Sequence, residues 1–186
     1  SLNKVFLVSP RRFGKTCLLL NLSEMLKREA VASVYIDLNA FPDLKSFATA
    51  VTGFTANALE TNKDKLLKMF AGFQMLRPKV SLDQTGNITA GLELAVAEKD
   101  ALEALLEGLR HAGKLAARKK KKLVIIIDEF SDLEKFNGLT IEKALRSKIQ
   151  KHTHVCYIFS GSEQSVMLSM IRDRKRAFYK LGRIME

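Results

Sequence analysis

The sequence is poor in residues that build covalent or metal frameworks. Its 186 residues include 2 cysteines and 3 histidines. Cys17 and Cys156 are separated by most of the chain, share no C-x-x-C spacing and lie in apolar stretches. They read as buried, reduced thiols rather than as a disulfide scaffold. His111, His152 and His154 stand at no metal-site spacing from cysteines or carboxylates, which argues against a zinc site. His152-Thr153-His154 reads instead as a solvated turn between a helix and a strand. Long apolar runs are also missing. The longest, Leu123 to Ile127 and Val155 to Phe159, fall far short of the ~20 residues that span a bilayer. The opening residues lack the basic head and long apolar segment of a secretion signal, so the expectation is a cytoplasmic chain with no membrane partner. No internal repeat and no low-complexity linker is present.

Acid is the remaining deficit. Asp and Glu total 20 against 31 Lys and Arg, a net charge of +11, and the isoelectric point lies near 9.7. That balance favours anionic partners: nucleotide, nucleic acid or an acidic protein. What is present is a chain of one-domain length with 47 % apolar and 27 % charged residues, enough for a sizeable core.

The chain is organised around Ser9-Pro10-Arg11-Arg12-Phe13-Gly14-Lys15-Thr16. Val5 to Val8 precedes it with the length of a buried strand, and Cys17 to Leu26 continues as an apolar helix. Strand, phosphate loop and helix are the setting that a Walker A motif requires. Loop amides ending at a helix N-terminus attract an anion, because unpaired N–H groups and the helix dipole both favour negative charge. Gly14 leaves out a Cβ that would block the approach of phosphate. Lys15 would reach the β- and γ-phosphates of ATP, and the Thr16 hydroxyl would coordinate Mg²⁺. Pro10, Arg11, Arg12, Phe13, Gly14, Lys15, Thr16 and Cys17 thus form the candidate nucleotide-binding set. One letter departs from G-x-x-x-x-G-K-[ST]: Ser9 stands where the pattern has Gly. A chance Gly-Lys-Thr in a basic loop is the competing explanation. The flanking strand and helix, and an acidic partner downstream, favour nucleotide.

Further elements follow from periodicity. Lys15 to Arg28 reads as a helix and Ser33 to Leu38 as a second buried strand. Pro42-Asp43 supplies a break and an N-cap for a helix from Leu44 to Leu59. Leu66, Leu67, Met69, Phe70, Phe73 and Met75 suggest a short helix closed by Pro78, its Met and aromatic residues serving the core rather than a partner. Val80 to Asp83 and Ile88 to Leu94 flank turn chemistry at Gln84-Thr85-Gly86-Asn87, the pattern of a β-hairpin. Lys99 to Lys114 returns to helix. The basic run Arg118 to Lys122 then reads as a solvated face in preference to a nucleic-acid site. Glu142 to Lys151 is a helix, Val155 to Phe159 a strand, and a short helix passes through Met167 and Met170. Arg172 to Arg176 is a charged run, and Phe178 to Arg183 shows no clean period.

Leu123 to Ile127 is apolar and largely β-branched, as in a strand covered on both faces, and it ends in Asp128-Glu129. In open α/β sheets the ligand crevice lies outside that end. Asp128 can hold the water shell of Mg²⁺ opposite Thr16, and Glu129 can orient and deprotonate an attacking water.

On these residues the chain resembles the archaeal-type ATPase domain family, in the AAA+/STAND branch of P-loop ATPases. The matching stretches are Ser9 to Thr16, Ile126-Ile127-Asp128-Glu129-Phe130 (as Walker B) and Phe159-Ser160-Gly161-Ser162. The family's loop tolerates Ser at the first position. The resemblance implies an α/β fold over 1–186, a three-layer α/β/α core with a mostly parallel sheet of strand order 5-1-4-3-2. It also implies a helical and hairpin insertion at about 61–98. ATP and Mg²⁺ follow as cofactors, with Mg-dependent hydrolysis coupled to conformational change. By analogy Glu129, Lys15 and Ser160 carry catalysis, Ser160 as the sensor facing the γ-phosphate, with Ser162 open for the same place. Arg11 and Arg12 could touch phosphate, base or solvent. Arg183 could contact phosphate or a neighbouring subunit, or simply be solvated. The family's fifth strand and helical lid are not recognisable, so the expectation is a fragment of a longer product, with weakened binding or turnover. Two other readings stand beside the ATPase: a basic, nucleic-acid-associated module, and a nucleotide-binding scaffold without turnover. Oligomer formation is open.

Overall fold

Apolar strands whose two faces are both hydrophobic must be covered on both sides, and here helices do so. The computed structural model describes residues 4–60, 76–82, 88–94, 97 and 100–186. The elements are β1 (Lys4–Val8), α1 (Lys15–Arg28), β2 (Ala32–Asp37), α2 (Leu44–Leu59), β3 (Leu76–Leu82) and β4 (Ile88–Leu94). They continue with α3 (Ala101–Arg118), β5 (Leu123–Asp128), α4 (Gly138–Ile149), β6 (Val155–Gly161), α5 (Gln164–Arg172) and β7 (Arg183–Met185). Short 3₁₀ segments cover Leu38–Ala40 and Phe130–Phe136. No helix among the described residues is long and apolar enough to cross a membrane.

Five strands form one sheet in the order β2-β5-β6-β1-β7, and each neighbouring pair runs parallel. Counting only these strands, that is 5-1-4-3-2 read from the other edge. β5 lies inside the sheet, and all of its residues are buried. Its alternation assigns the layers. Leu123, Ile125 and Ile127 join the larger core with Phe47 and Val51 of α2, Leu105 and Leu109 of α3 and Leu145 of α4. Val124 and Ile126 turn to the other face, against Leu19, Leu22 and Leu26 of α1.

The structure corrects the expectation of a missing fifth strand. β7 lies beside β1, with Phe6 opposite Ile184. It has three residues, two of them exposed at a sheet edge, so it carries no periodic signal. It is placed by what precedes it. Phe178 is fully buried, its ring centroid 5.9 Å from Phe6, 5.8 Å from Phe159 and 5.5 Å from Phe130. Arg146 of α4 donates to the Tyr179 carbonyl at 2.8 Å and to that of Ala177. Gly182 then passes so close to Lys4 that a Cβ would lie 2.8 Å from the Lys4 carbonyl carbon. Gly182→Ala should therefore detach β7 and lower the unfolding free energy by about 1–3 kcal/mol, the usual cost of overpacking. Amide-exchange protection at β7, with a urea titration, measures it.

Several boundaries differ from the periodicity. Leu38 opens a 3₁₀ turn instead of ending β2, because the Asp37 carboxylate accepts the Asn39 N–H at 3.0 Å and bends the chain. Pro78 lies within β3 rather than closing a helix. Among the described residues the β3–β4 pair is antiparallel and two-stranded, and strands at a sheet edge accept a proline despite its missing N–H. The short helix expected through Leu66 to Met75 and the turn expected at 84–87 lie outside the described residues. Asp43 does cap α2, its carboxylate accepting the Ser46 N–H at 2.7 Å.

The thiols and histidines differ too. Cys17 is exposed, because α1 packs on the sheet through Leu19, Leu22 and Leu26 and turns Cys17 outward. Cys156 is half-buried, and burial pushes its thiol pKa up. His152 is not simply solvated. Its Nδ1 lies 2.7 Å from the Tyr157 hydroxyl, and burial lowers its pKa.

Candidate functional site

The candidate phosphate loop occupies 9–14 between β1 and α1. Gly14 begins the helix at φ +74, a left-handed conformation that glycine takes without strain. Among the described residues, its chain neighbours and the helix's own backbone aside, no atom lies within 4 Å of where its Cβ would be. The reason for glycine is thus backbone conformation together with open space on the cavity wall. No acidic residue occupies the first turn of α1 and no side chain caps it, so its leading amides remain available to an anion. Lys15 is buried and folds back, donating from Nζ to the carbonyls of Ser9 and Pro10 at 2.7 Å each.

Across the cleft, β5 delivers its acids. The Thr16 hydroxyl donates to Oδ2 of Asp128 at 2.9 Å, joining residues 112 positions apart. Asp128 is nearly inaccessible, at 1 % exposure, and also accepts the Tyr35 hydroxyl at 3.0 Å and the Glu129 N–H at 3.0 Å. Burial, and then the Asp128 carboxylate, push the Tyr35 phenol well above its ordinary pKa, so it stays a donor. Asp37 lies beside Asp128 in register at the end of β2. Burial raises its carboxyl pKa, the Asn39 N–H opposes this, and the negative charges of Asp128, Glu129 and Asp132 add to it.

Glu129 sits at φ 49, left-handed for a residue with a Cβ. Such conformations cost on the order of 1–3 kcal/mol and persist where surrounding contacts fix them. Here the fixing contacts come from Ser162, whose hydroxyl and N–H donate to Oε2 of Glu129 at 2.7 and 3.2 Å.

Beside these groups lies a cavity of about 600 Å³, large enough for a nucleotide. Of the expected binding set, Arg11, Arg12, Gly14, Lys15, Thr16 and Cys17 line it. Pro10 contributes only its carbonyl to Lys15, and Phe13 points to solvent at 73 % exposure. Asp128 is covered by Thr16 and Tyr35, while Glu129 lines the wall. Of the two serines, Ser162 reaches the cavity and Ser160 does not. Ser160 is fully buried, and its hydroxyl finds no partner among the described residues. Arg183 pairs beside Val5, at the start of β1, whereas the phosphate loop follows Val8 at the other end. It is exposed there and lies away from the cavity.

Among the described residues no group of three or more His, Cys, Asp or Glu could hold a metal ion unaided. Mg²⁺ does not need one, since it is commonly held by one or two protein oxygens together with substrate phosphates and water. A hydroxyl and a carboxylate 2.9 Å apart are hard oxygen donors that suit it.

A model of an ATPase domain predominantly from Archaea matches residues 3–184. The chain belongs to this family. No curated protein matches the sequence. Among solved structures, the fold is similar to a Walker-type ATPase of Pyrococcus abyssi, at 13 % identity and TM-score 0.55, covering 99 % of this chain and 48 % of that one. It is also similar to the ORC1 protein of Aeropyrum pernix in complex with DNA, at 14 % identity and TM-score 0.56, covering 99 % and 39 %. Cdc6p of Pyrobaculum aerophilum gives 15 % identity and TM-score 0.53, with coverage of 99 % and 39 %. The chain thus spans less than half the length of these proteins. At such identities the likeness concerns the fold, while family membership makes this a nucleotide-binding ATPase domain.

Sequence reasoning missed Tyr35, Asn39, Asp132, Lys135 and Glu163. Lys135 donates to Asp132 at 2.6 Å and to Asn39 at 3.3 Å on the cavity's far side, and Glu163 pairs with Arg11 at 3.5 Å. Tyr35 left one usable signal: a hydroxyl-bearing aromatic near the end of an otherwise apolar strand needs a polar partner at that end.

Proposed function

We propose that this chain binds ATP with Mg²⁺ in the cavity between the glycine turn and the carboxyl ends of β5 and β6. Hydrolysis there would drive a conformational change. The observation that carries the reading is the Thr16–Asp128 hydrogen bond, which sets the helix end of the phosphate loop against the acids of β5. Mg²⁺ held by Thr16 and, through water, by Asp128 would neutralise charge on the β- and γ-phosphate oxygens. Lys15 would exchange its two carbonyl partners for phosphate oxygens, stronger acceptors because they are charged. Both contacts from Ser162 go to Oε2 of Glu129, which leaves Oε1 to orient the attacking water and take its proton. Ser162 takes the sensor role in preference to Ser160, since only Ser162 reaches the cavity.

Nucleotide titration of Lys15→Ala tests the reading. Charge-assisted hydrogen bonds are worth about 1.5–3 kcal/mol each, so affinity for ATP should fall at least about ten-fold. Equal affinity in variant and parent would overturn it. A phosphate-release assay separates an ATPase from a scaffold that only binds.

A nucleic-acid partner is the second reading. The net charge of +11 favours it, and one protein of similar fold was solved in complex with DNA.

A further inference from the structure

We propose that a basic groove at the end of the sheet opposite the nucleotide cavity grips the phosphate backbone of duplex nucleic acid. This rests on the nucleic-acid reading and gives it a place on the molecule. The groove encloses about 370 Å³ between α3 and the segment that joins α4 to β6. Arg110 and Lys114 stand on one wall, at i and i+4 of α3, so they share a face. Lys148, Lys151 and His154 stand on the other. Among the described residues no Asp or Glu lines it, and Glu107 pairs with Arg110 and with His111 at 3.1 Å.

The floor is small and fixed. Gly113 and Ala117 leave room between the walls, and a Cβ on Gly113 would lie 2.7 Å from Nε2 of His152. The His152 ring stacks on Tyr157 with centroids 6.0 Å apart and is bonded to its hydroxyl. Two rows of cations over a narrow, rigid floor suit a rod that carries negative charge along its length.

The bland account is that cations near helix C-termini answer the helix dipole. It covers Arg118 in the last turn of α3 and Lys148 in the last turn of α4. It does not cover Arg110 and Lys114, which precede that turn, or Lys151, which follows the helix. The solvated basic run extends the same field, since Arg118, Lys120, Lys121 and Lys122 are exposed next to the groove. Lys119 is already engaged by Glu60 at 2.6 Å.

The choice of partner follows from what lines the groove. A protein interface would need a buried apolar or aromatic anchor at its centre. Single strands bind chiefly by stacking bases on exposed aromatic rings. The large apolar residues exposed among the described ones, such as Phe13, Leu18 and Phe54, lie elsewhere. Cations on a floor of glycine and alanine suit sequence-independent phosphate contact. The groove lies at the amino ends of β5 and β6, where the Leu123 N–H donates to the His154 carbonyl at 3.0 Å. It is therefore about 20 Å from the nucleotide cavity, the length of β5.

The test measures binding of a short labelled duplex by fluorescence anisotropy between about 50 and about 200 mM salt. Lys114→Glu combined with Lys151→Glu should weaken binding at least about ten-fold and flatten the salt slope by about two. The matched control, Lys143→Glu with Lys175→Glu, makes the same charge change on exposed residues away from the groove and should stay within about three-fold of the parent. ATP titration of both variants reports that the fold is intact. If groove and control variants lose affinity equally, the groove assignment is overturned while the nucleic-acid reading stands. No duplex binding by the parent at low salt overturns both. Tighter binding of a single strand, or of polyglutamate, overturns the choice of duplex.

Discussion

Glu129→Gln should retain ATP binding and lose turnover by about 10²–10⁴-fold, the range that a positioned general base contributes. The amide keeps the shape of the side chain, and its oxygen can still accept from the Ser162 hydroxyl and N–H, 2.7 and 3.2 Å from Oε2 in the parent. What disappears is the negative charge and the basic oxygen facing the cavity. Phosphate release under saturating ATP gives the rate, and nucleotide titration gives the affinity. Parent-like turnover would remove Glu129 from water activation. A parallel loss of binding would instead mean that the left-handed backbone at Glu129, φ 49, depends on the carboxylate. Ser162→Ala separates the two roles: it leaves the carboxylate and its contact with the backbone N–H but removes the hydroxyl contact, so it should slow turnover less than Glu129→Gln.

Arg176→Ala should cost about 3–5 kcal/mol of stability, the penalty for leaving a buried charge without its partner. Glu142 on α4 is completely inaccessible, and Arg176 bonds both of its carboxylate oxygens, Oε2 from Nε at 3.1 Å. The same guanidinium reaches Glu134 at 2.5 Å. Both carboxylates hold the arginine strongly protonated, Glu142 more than Glu134. Removing Arg176 strands Glu142 in the core and unpins the segment that carries Phe178 and β7. Replacing both partners with apolar residues, Glu142→Leu with Arg176→Met, should cost less than the single change, because no bare charge then stays buried. Denaturant midpoints of the three proteins decide this. A loss under about 1 kcal/mol in Arg176→Ala would place the pair among exposed, weak ion pairs.

Much of the site was legible because its signals are local. A strand, a glycine turn and a helix in immediate succession leave Lys15 and Thr16 little choice of place. An apolar β-branched run ending in two acids sets Asp128 and Glu129 at a strand terminus. The choice between Ser160 and Ser162 was not legible, since they flank the end of one strand, Ser160 inside β6 and Ser162 just past it, and only the strand's exit decides which reaches the cavity. The cavity's far wall was hidden for a related reason: Asn39 and Lys135 meet at 3.3 Å across 96 positions, and nothing at either position announces the other.

By itself, then, the sequence determined the glycine turn between β1 and α1, the acid-tipped strand and the two-faced parallel sheet, because each is written in contiguous residues with a period or a spacing. The tertiary structure decided the fifth strand, the serine that holds Glu129, the partner of Arg176 and the groove between α3 and β6. Those depend on which segments far apart in the chain become neighbours. That outcome is set by packing Phe178 into the core and by compensating Glu142 inside it, interactions that leave no repeat along the chain.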